Sequence, residues 1–355
     1  MNDIGEAPRS GWGLRRPVDA SGEQPLGRDA PSSALSVVIT GPTAVGKSSV
    51  ALRMAENLGA EILSMDSAQV YRGMDIGTAK PDDAERKRVI HHGLDLCDPE
   101  MAFDAERFSQ LVEGLLRRPQ APPLVIVGGT HLYLRAWRLG LDPMPTVPMT
   151  LRHQLAARLE SEGLAPLFAE LKAVDPARAM RINANDTQRV LRALELFHAS
   201  GQPPSLLQSG LRRLAQAPAI PGVAMVALIP DDRAALRAQI ARRFHAMLEQ
   251  GFEDEVDRLI ARPSLTASHA SQRAVGYRQY RAWREQLEGG ATSREGFVAQ
   301  AVAATRQYAK RQLTWLRNDP LPQTDLTLAW PVADGRARIR AEDALLERFE
   351  SLWRG

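Results

Sequence analysis

The chain is patterned as short, unbroken apolar runs alternating with longer stretches in which apolar residues recur every three or four positions. Residues 36–40 (Ser-Val-Val-Ile-Thr) are rich in β-branched side chains and end at Gly41, which predicts a buried strand. Residues 47–58 follow with Val50, Met54 and Leu58 four apart and Gly59 behind them, the spacing and stop of a helix. Further strands are predicted over 61–65, ended by Asp66; over 124–127, announced by Pro122-Pro123 and closed by Gly128-Gly129; and over 223–229, ended by Pro230. Strands that are apolar at every position and separated by helical stretches predict an α/β fold, with a parallel sheet covered on both faces.

The texture changes between the third and fourth strands. Residues 142–148 form a Pro-rich joint. Helical spacings follow at Leu151/Leu155/Leu159, at Leu164/Leu167/Phe168/Leu171 and at Val190/Leu191/Leu194/Phe197, with Asp175-Pro176 opening a shorter turn. Residues 143–221 therefore read as a helical insertion into a core made of 35–142 and 222–320. More helices are expected over 233–250, 252–261 and 295–317. Residues 1–34 are rich in Gly, Pro, Ser and Arg and carry no apolar h-region, so they read as a disordered extension and not as a secretory leader. Residues 321–355 are assigned to a C-terminal tail.

Composition narrows the picture modestly. The 355 residues are 44% hydrophobic and 25% charged, as in a globular protein with a sizeable core. No apolar run approaches the roughly 20 residues of a membrane-spanning helix, so no membrane partner is expected. A formal net charge of +3 does not by itself demand a nucleic-acid partner. Cys97 is the single cysteine, which excludes an internal disulfide and any zinc site built on cysteine pairs.

The chemistry begins where the first strand ends. Gly41-Pro42-Thr43-Ala44-Val45-Gly46-Lys47-Ser48 matches G-x-x-x-x-G-K-[ST] without exception, between a predicted strand and a predicted helix. Such a loop turns successive backbone N–H groups toward phosphate oxygens at the positive end of the helix. Lys47 adds a charge, and the Ser48 hydroxyl suits a magnesium ion bridging the phosphates. The chain is expected to bind a di- or triphosphate.

An ordinary P-loop ATPase has an apolar strand ending in an acid that holds the metal. The strand 124–127 ends instead in Gly128-Gly129-Thr130, while Asp66 follows the strand 61–65. Beyond Asp66 runs the polar, Gly-punctuated segment 66–81, at a strand's carboxyl end where α/β sheets place their ligands. On spacing alone Asp66 is either a site carboxylate or the cap of a surface turn.

Taken together, 66–81, 41–48, Gly128-Gly129-Thr130, His91-His92, Asp98-Pro99, Asn185-Asp186-Thr187-Gln188-Arg189, Arg273-Ala274-Val275-Gly276-Tyr277-Arg278 and the basic stretch 305–317 resemble the bacterial tRNA dimethylallyltransferases (isopentenyl-tRNA transferases) over about residues 35–320. The resemblance implies a P-loop-kinase-like core with a helical insertion. It also implies Mg²⁺-dependent transfer of a dimethylallyl group from dimethylallyl diphosphate to N6 of the adenosine 3′-adjacent to the tRNA anticodon, by a cytoplasmic monomer. His131 departs from the family pattern, which has a small residue or Met there, and Gly93 interrupts the stretch after His91-His92. Terpenoid synthases use an Asp-Asp-x-x-Asp motif; Asp82-Asp83 and Asp231-Asp232 lack the third acid.

The resemblance assigns catalysis to Asp66, Thr130 and Arg243, with residues 41–48 on the diphosphate and Ser48 on the metal. Asp66 would accept the proton of an amine whose lone pair is delocalised into the ring. Arg243 is either a diphosphate clamp or a solvated helix charge. Acceptor contacts are assigned to Asp66, Ser67, Ala68, Gln69 and Thr130; to Gln188, Arg189 and Arg192; to Arg273, Ala274, Val275, Gly276, Tyr277 and Arg278; and to Arg306, Lys310, Arg311 and Arg317. Acids are absent from 258–284, where Tyr277, Tyr280 and Trp283 interleave with arginines, and again from 296–318. Either these are basic faces for a phosphate backbone or they are solvated surface. Two other functions compete: prenylation of free adenine nucleotides, and an ATP-dependent RNA-binding switch.

Overall fold

The computed structural model describes residues 36–140, 144–207, 222–287, 293–318 and 326–354. The expected disordered extension, the start of the Pro-rich joint and most of the loop before the fourth predicted strand lie outside these residues.

The elements run β1 (Ser36–Thr40), α1 (Lys47–Leu58), β2 (Glu61–Ser64), α2 (Asp83–Arg88), β3 (His91–His92), α3 (Ala105–Leu116), β4 (Leu124–Gly128) and α4 (His131–Leu139). A helical block follows: α5 (Met149–Glu162), α6 (Leu164–Val174), α7 (Pro176–Ala179), α8 (Thr187–Ser200) and α9 (Pro204–Leu207). The chain then returns through β5 (Val223–Pro230), α10 (Arg233–Glu249), α11 (Phe252–Ile260), α12 (Tyr277–Leu287), α13 (Arg294–Asn318), β6 (Leu326–Trp330) and α14 (Gly335–Arg354).

The strands form one parallel sheet in the order β3-β2-β4-β1-β5-β6. Its period-two alternation divides the core into two layers. Val37, Ile39, Ile62, Val125 and Val127 face α1 and the later helices, whereas Val38, Leu63, Ile126 and Met225 face α3 and α4. Both faces are covered, as unbroken apolar strands require. The insertion has its own core of Leu155, Leu167, Leu171, Ile182, Val190 and Leu194.

One feature departs from the expected layout. Residues assigned to a tail supply the sixth strand and a helix. Trp330 is fully buried, Leu345, Leu346 and Phe349 pack into the main core, and Arg53 of α1 pairs with Glu342 and Asp343 of α14. The physical reason is that β5 offers an unpaired edge, and the run Leu-Thr-Leu-Ala-Trp satisfies it. The aspartate doublets, in turn, are local caps. Asp82 closes a capping box on α2, and Asp232 accepts from the N–H groups of Ala234 and Ala235 at the start of α10. His91 and His92 form the edge strand β3, with His92 Nε2 2.7 Å from Glu61 Oε2 and Nδ1 of His91 2.8 Å from the Val89 carbonyl.

Candidate active site

The loops beyond the carboxyl ends of β1, β2 and β4 meet in one depression. After β1 the chain turns through 41–46, and Gly46 takes φ 103°, a left-handed conformation that is costly for a residue with a Cβ. α1 then starts at Lys47 with no acid in its first turn, so its positive end faces the depression uncompensated. Lys47 Nζ donates to the Pro42 carbonyl at 2.8 Å, and Ser48 is exposed.

After β2, Oδ1 of Asp66 accepts the backbone N–H groups of Ala68 (2.8 Å) and Gln69 (3.4 Å), while Oδ2 has no hydrogen-bond partner among the described residues. The cap and the site carboxylate are thus compatible: one oxygen shapes the turn. After β4, the glycines are dictated by close approach. A Cβ on Gly128 would lie 2.0 Å from the Met65 carbonyl oxygen, and one on Gly129 2.2 Å from the Gln312 amide nitrogen. This closeness brings Thr130 Oγ1 to the Ser67 N–H, which donates to it at 3.1 Å.

Arg243 of α10 and Tyr308, Arg311 and Gln312 of α13 close the depression, which has two compartments. The P-loop-side space, about 810 Å³, is lined by Lys47, Ser48, Asp66, Arg243, Tyr308 and Gln312, with an apolar wall of Ala51, Leu52, Ile62, Leu94 and Val127. The larger space, about 1270 Å³, is lined by Ser67, Ala68, Arg273, Ala274, Val275, Gly276 and Arg311. Thr43, Asp66, Thr78, Arg243 and Tyr308 border both.

The electrostatics of the junction are dominated by two buried basic groups. Burial pushes the Lys47 ammonium down to about 7, the nearby Arg243 pushes it further, and only Asp66 opposes them. Burial likewise lowers Arg243, again opposed by Asp66. Two confined basic groups, Lys47 and Arg243, thus face one carboxylate, Asp66. Arg243 is therefore no solvated helix charge. The Tyr308 hydroxyl faces Thr130 and Gln312, with its pKa raised by burial and then by Asp66. His131, beneath this layer, is buried with Nε2 3.3 Å from Thr40 Oγ1, stacks on Trp315, and is pushed down to about 3 by burial and Lys47, so it is neutral.

Other sequence-designated residues fall less simply. The Gln69 side chain is engaged internally: its Oε1 accepts from Ser64 Oγ at 2.6 Å, and its Nε2 donates to the Thr78 and Ala79 carbonyls at 3.1 Å. Tyr277 is fully buried and donates its hydroxyl to Glu255, Tyr280 is buried, and Trp283 stacks on Phe297. Tyr280 and Trp283 are thus packed with the core, whereas Tyr277, although buried, also lines the larger compartment. Several of its arginines are paired with distant acids, Arg262 with Glu100 and Arg284 with Asp257. Arg273 and Arg278 are exposed, as are Arg306, Lys310, Arg311 and Arg317 along α13. Gln188, Arg189 and Arg192 lie exposed on α8 of the insertion, away from both compartments, with Arg189 paired to Asp186 and Arg192 to Glu195.

Sequence reasoning missed Tyr308, Gln312 and Glu255. A polar residue inside the apolar stripe Ala309/Leu313/Leu316 was the available signal for Gln312. Buried Glu255 accepts from the backbone N–H groups of Asp75, Ile76 and Gly77 at 2.7–3.1 Å and so fixes the far end of the 66–81 segment.

A family profile described as IPP transferase matches residues 69–319 of this chain. The chain belongs to the IPP transferase family. It is 45% identical over 317 residues to the tRNA dimethylallyltransferase of Neisseria gonorrhoeae, covering 88% of this chain and 97% of that protein. It is 47% identical over 293 residues to the enzyme of the same name from Bordetella petrii, covering 81% and 91%. Among solved structures, the full-length tRNA isopentenylpyrophosphate transferase of Bacillus halodurans superimposes with a TM-score of 0.59 at 31% identity, covering 90% of this chain and 99% of that one. A eukaryotic dimethylallyltransferase acting on tRNA gives a TM-score of 0.65 at 25% identity, covering 85% and 75%. This IPP transferase thus has the P-loop-type α/β fold that its sequence implies. None of its described helices is long and apolar enough to cross a membrane.

Proposed function

We propose that this chain transfers a dimethylallyl group from dimethylallyl diphosphate to N6 of the adenosine 3′-adjacent to the anticodon of tRNA, releasing diphosphate. The observation that carries the reading is the junction: two compartments meet at Asp66 and Arg243, and on one side a P-loop and two buried basic groups suit an anion. The smaller compartment, with its apolar wall, suits a five-carbon diphosphate. The larger one, opening toward the basic residues of α13 and the 273–276 loop, suits a splayed-out nucleobase.

In this arrangement the backbone amides of 44–48, Lys47 and Arg243 bind the diphosphate and stabilise the charge that grows on it as the C–O bond breaks, while the Thr43 N–H is taken by Gln312. Asp66 accepts the proton from N6 during attack, its charge and orientation held by the Ala68 and Gln69 amides. Thr130 lines neither compartment itself and reaches the junction through the Ser67 N–H and the Tyr308 hydroxyl. No cluster of three or more His, Cys, Asp or Glu able to cage a metal exists among the described residues. Mg²⁺ keeps several waters and is carried chiefly by phosphates, so it needs no such cluster. The exposed Ser48 hydroxyl, which lines the P-loop-side compartment, would hold it. When bound, the ion supplies charge neutralisation to the leaving diphosphate.

Arg306, Lys310, Arg311, Arg317, Arg273 and Arg278 supply the phosphate-facing surface, joined by Gln188, Arg189 and Arg192 from the insertion. We take the enzyme to act as a monomer in the cytoplasm. The test is incubation with dimethylallyl diphosphate, Mg²⁺ and tRNA lacking the modification, followed by nucleoside analysis. N6-isopentenyladenosine at that single position is expected; unmodified adenosine after complete incubation would overturn the reading.

A further inference from the structure

We infer that Gln312 is a positioning residue that sets the distance between the diphosphate-binding loop and the loop carrying Thr130. Its buried amide lies between two backbone groups of different loops. Oε1 accepts the Thr43 N–H at 2.8 Å, and Nε2 donates to the Gly129 carbonyl at 3.0 Å. A glycine at 129 is what permits the second contact, since a Cβ there would lie 2.2 Å from Nε2. The same face of α13 grips the same two loops at neighbouring positions. Tyr308, one turn earlier, faces Thr130. Trp315, one turn later, stacks on His131, which reaches Thr40 at the root of the P-loop.

Thr43 is a P-loop residue whose N–H is thereby directed at the helix and not at phosphate. The leaving diphosphate and the attacking amine must be collinear with the breaking bond, so the separation of the two loops bears directly on the transfer rate. A misplacement of about 1 Å costs on the order of a hundredfold. Exposed Arg306, Lys310 and Arg317 lie on other faces of this helix, so losing the amide alters geometry without removing acceptor contacts.

The rate readout rests on the transfer reading above, so a second readout accompanies it. Gln312→Asn keeps both polar groups but is one methylene too short to span the loops, and Gln312→Met keeps length without them. Leu313→Ala, a core position beside it, is the control for helix stability alone. With saturating donor and tRNA, both Gln312 variants should lose roughly thirty- to a hundredfold in single-turnover rate while tRNA affinity stays within threefold. Leu313→Ala should lower Tm yet keep the rate within threefold. In the absence of any substrate, amide hydrogen exchange at Thr43 should accelerate at least tenfold in Gln312→Asn and not in Leu313→Ala. A Gln312→Asn rate within threefold of the parent, a Leu313→Ala rate that falls as far, or unchanged Thr43 exchange overturns the inference. A parent that transfers nothing overturns the functional reading instead, and the exchange measurement still decides this one.

Discussion

Replacing Asp66 by Asn separates base, metal ligand and structural cap in one experiment. The amide retains Oδ1 as an acceptor for the Ala68 and Gln69 N–H groups, so the turn should survive and Tm should change little. What disappears is the charge and basicity of the junction. General-base assistance is typically worth a hundred- to ten-thousandfold, equivalent to about 3 to 5 kcal/mol of activation free energy. Lys47 and Arg243 also lose the carboxylate that opposes their depression, while an anionic ligand loses a like charge beside it. These effects oppose each other, so diphosphate binding should shift by less than about tenfold. The assay is single-turnover transfer at saturating tRNA and donor, with separate binding measurements for each. A rate loss of two to four decades with near-parental binding is expected. If Asp66 mainly holds Mg²⁺, donor binding will collapse in step with the rate, and added Mg²⁺ will restore part of both. A rate within tenfold of the parent refutes the assignment of the base to Asp66.

Lys47→Ala should weaken donor binding and slow transfer, measured by donor titration; unchanged kinetics would remove the P-loop lysine from the site. Because burial pushes the Lys47 ammonium down to about 7 and only its charged form attracts diphosphate, parental donor affinity should fall as pH rises through 7, and this part of the pH dependence should vanish in Lys47→Ala. Replacing Arg306, Lys310 and Arg317 together should weaken tRNA binding and reduce the magnitude of its log–log salt slope by about 2 to 3, with donor binding unaffected. Glu255→Ala strips the partner from three backbone N–H groups and the buried Tyr277 hydroxyl, so urea unfolding should show a loss of at least about 3 kcal/mol. A loss below about 1 kcal/mol would show that the 75–77 turn does not depend on this carboxylate.

The parts of the site legible in sequence are those encoded locally. Residues 41–48 turn, bind and start a helix within one contiguous segment, and Asp66 and Thr130 each stand directly after a buried strand. Arg243 is ambiguous in sequence because its neighbours say only that it is helical; the fold places it beside Lys47 and Asp66. Tyr277, Tyr280 and Trp283 recur every three residues, which is also the spacing of a buried helical stripe, and burial of large rings prevails over display among arginines. The acid-free run around them gave no sign that Glu100, and Asp257 just before it, would neutralise its charges, because such pairings follow tertiary structure and not local composition. The strand Leu326–Trp330 escaped notice for a similar reason. Five residues of weak alternation gain meaning only beside the open edge of β5.

The measurement that tests the central claim most directly is transfer to two anticodon stem-loop RNAs that differ at one atom group. One carries adenosine 3′ to the anticodon; the other carries inosine, which lacks the N6 amine. With labelled dimethylallyl diphosphate and Mg²⁺, label should enter the adenosine RNA stoichiometrically and be absent from the inosine RNA, although both bind with similar affinity. Equal labelling of the two RNAs, or label only in added AMP, would contradict the account.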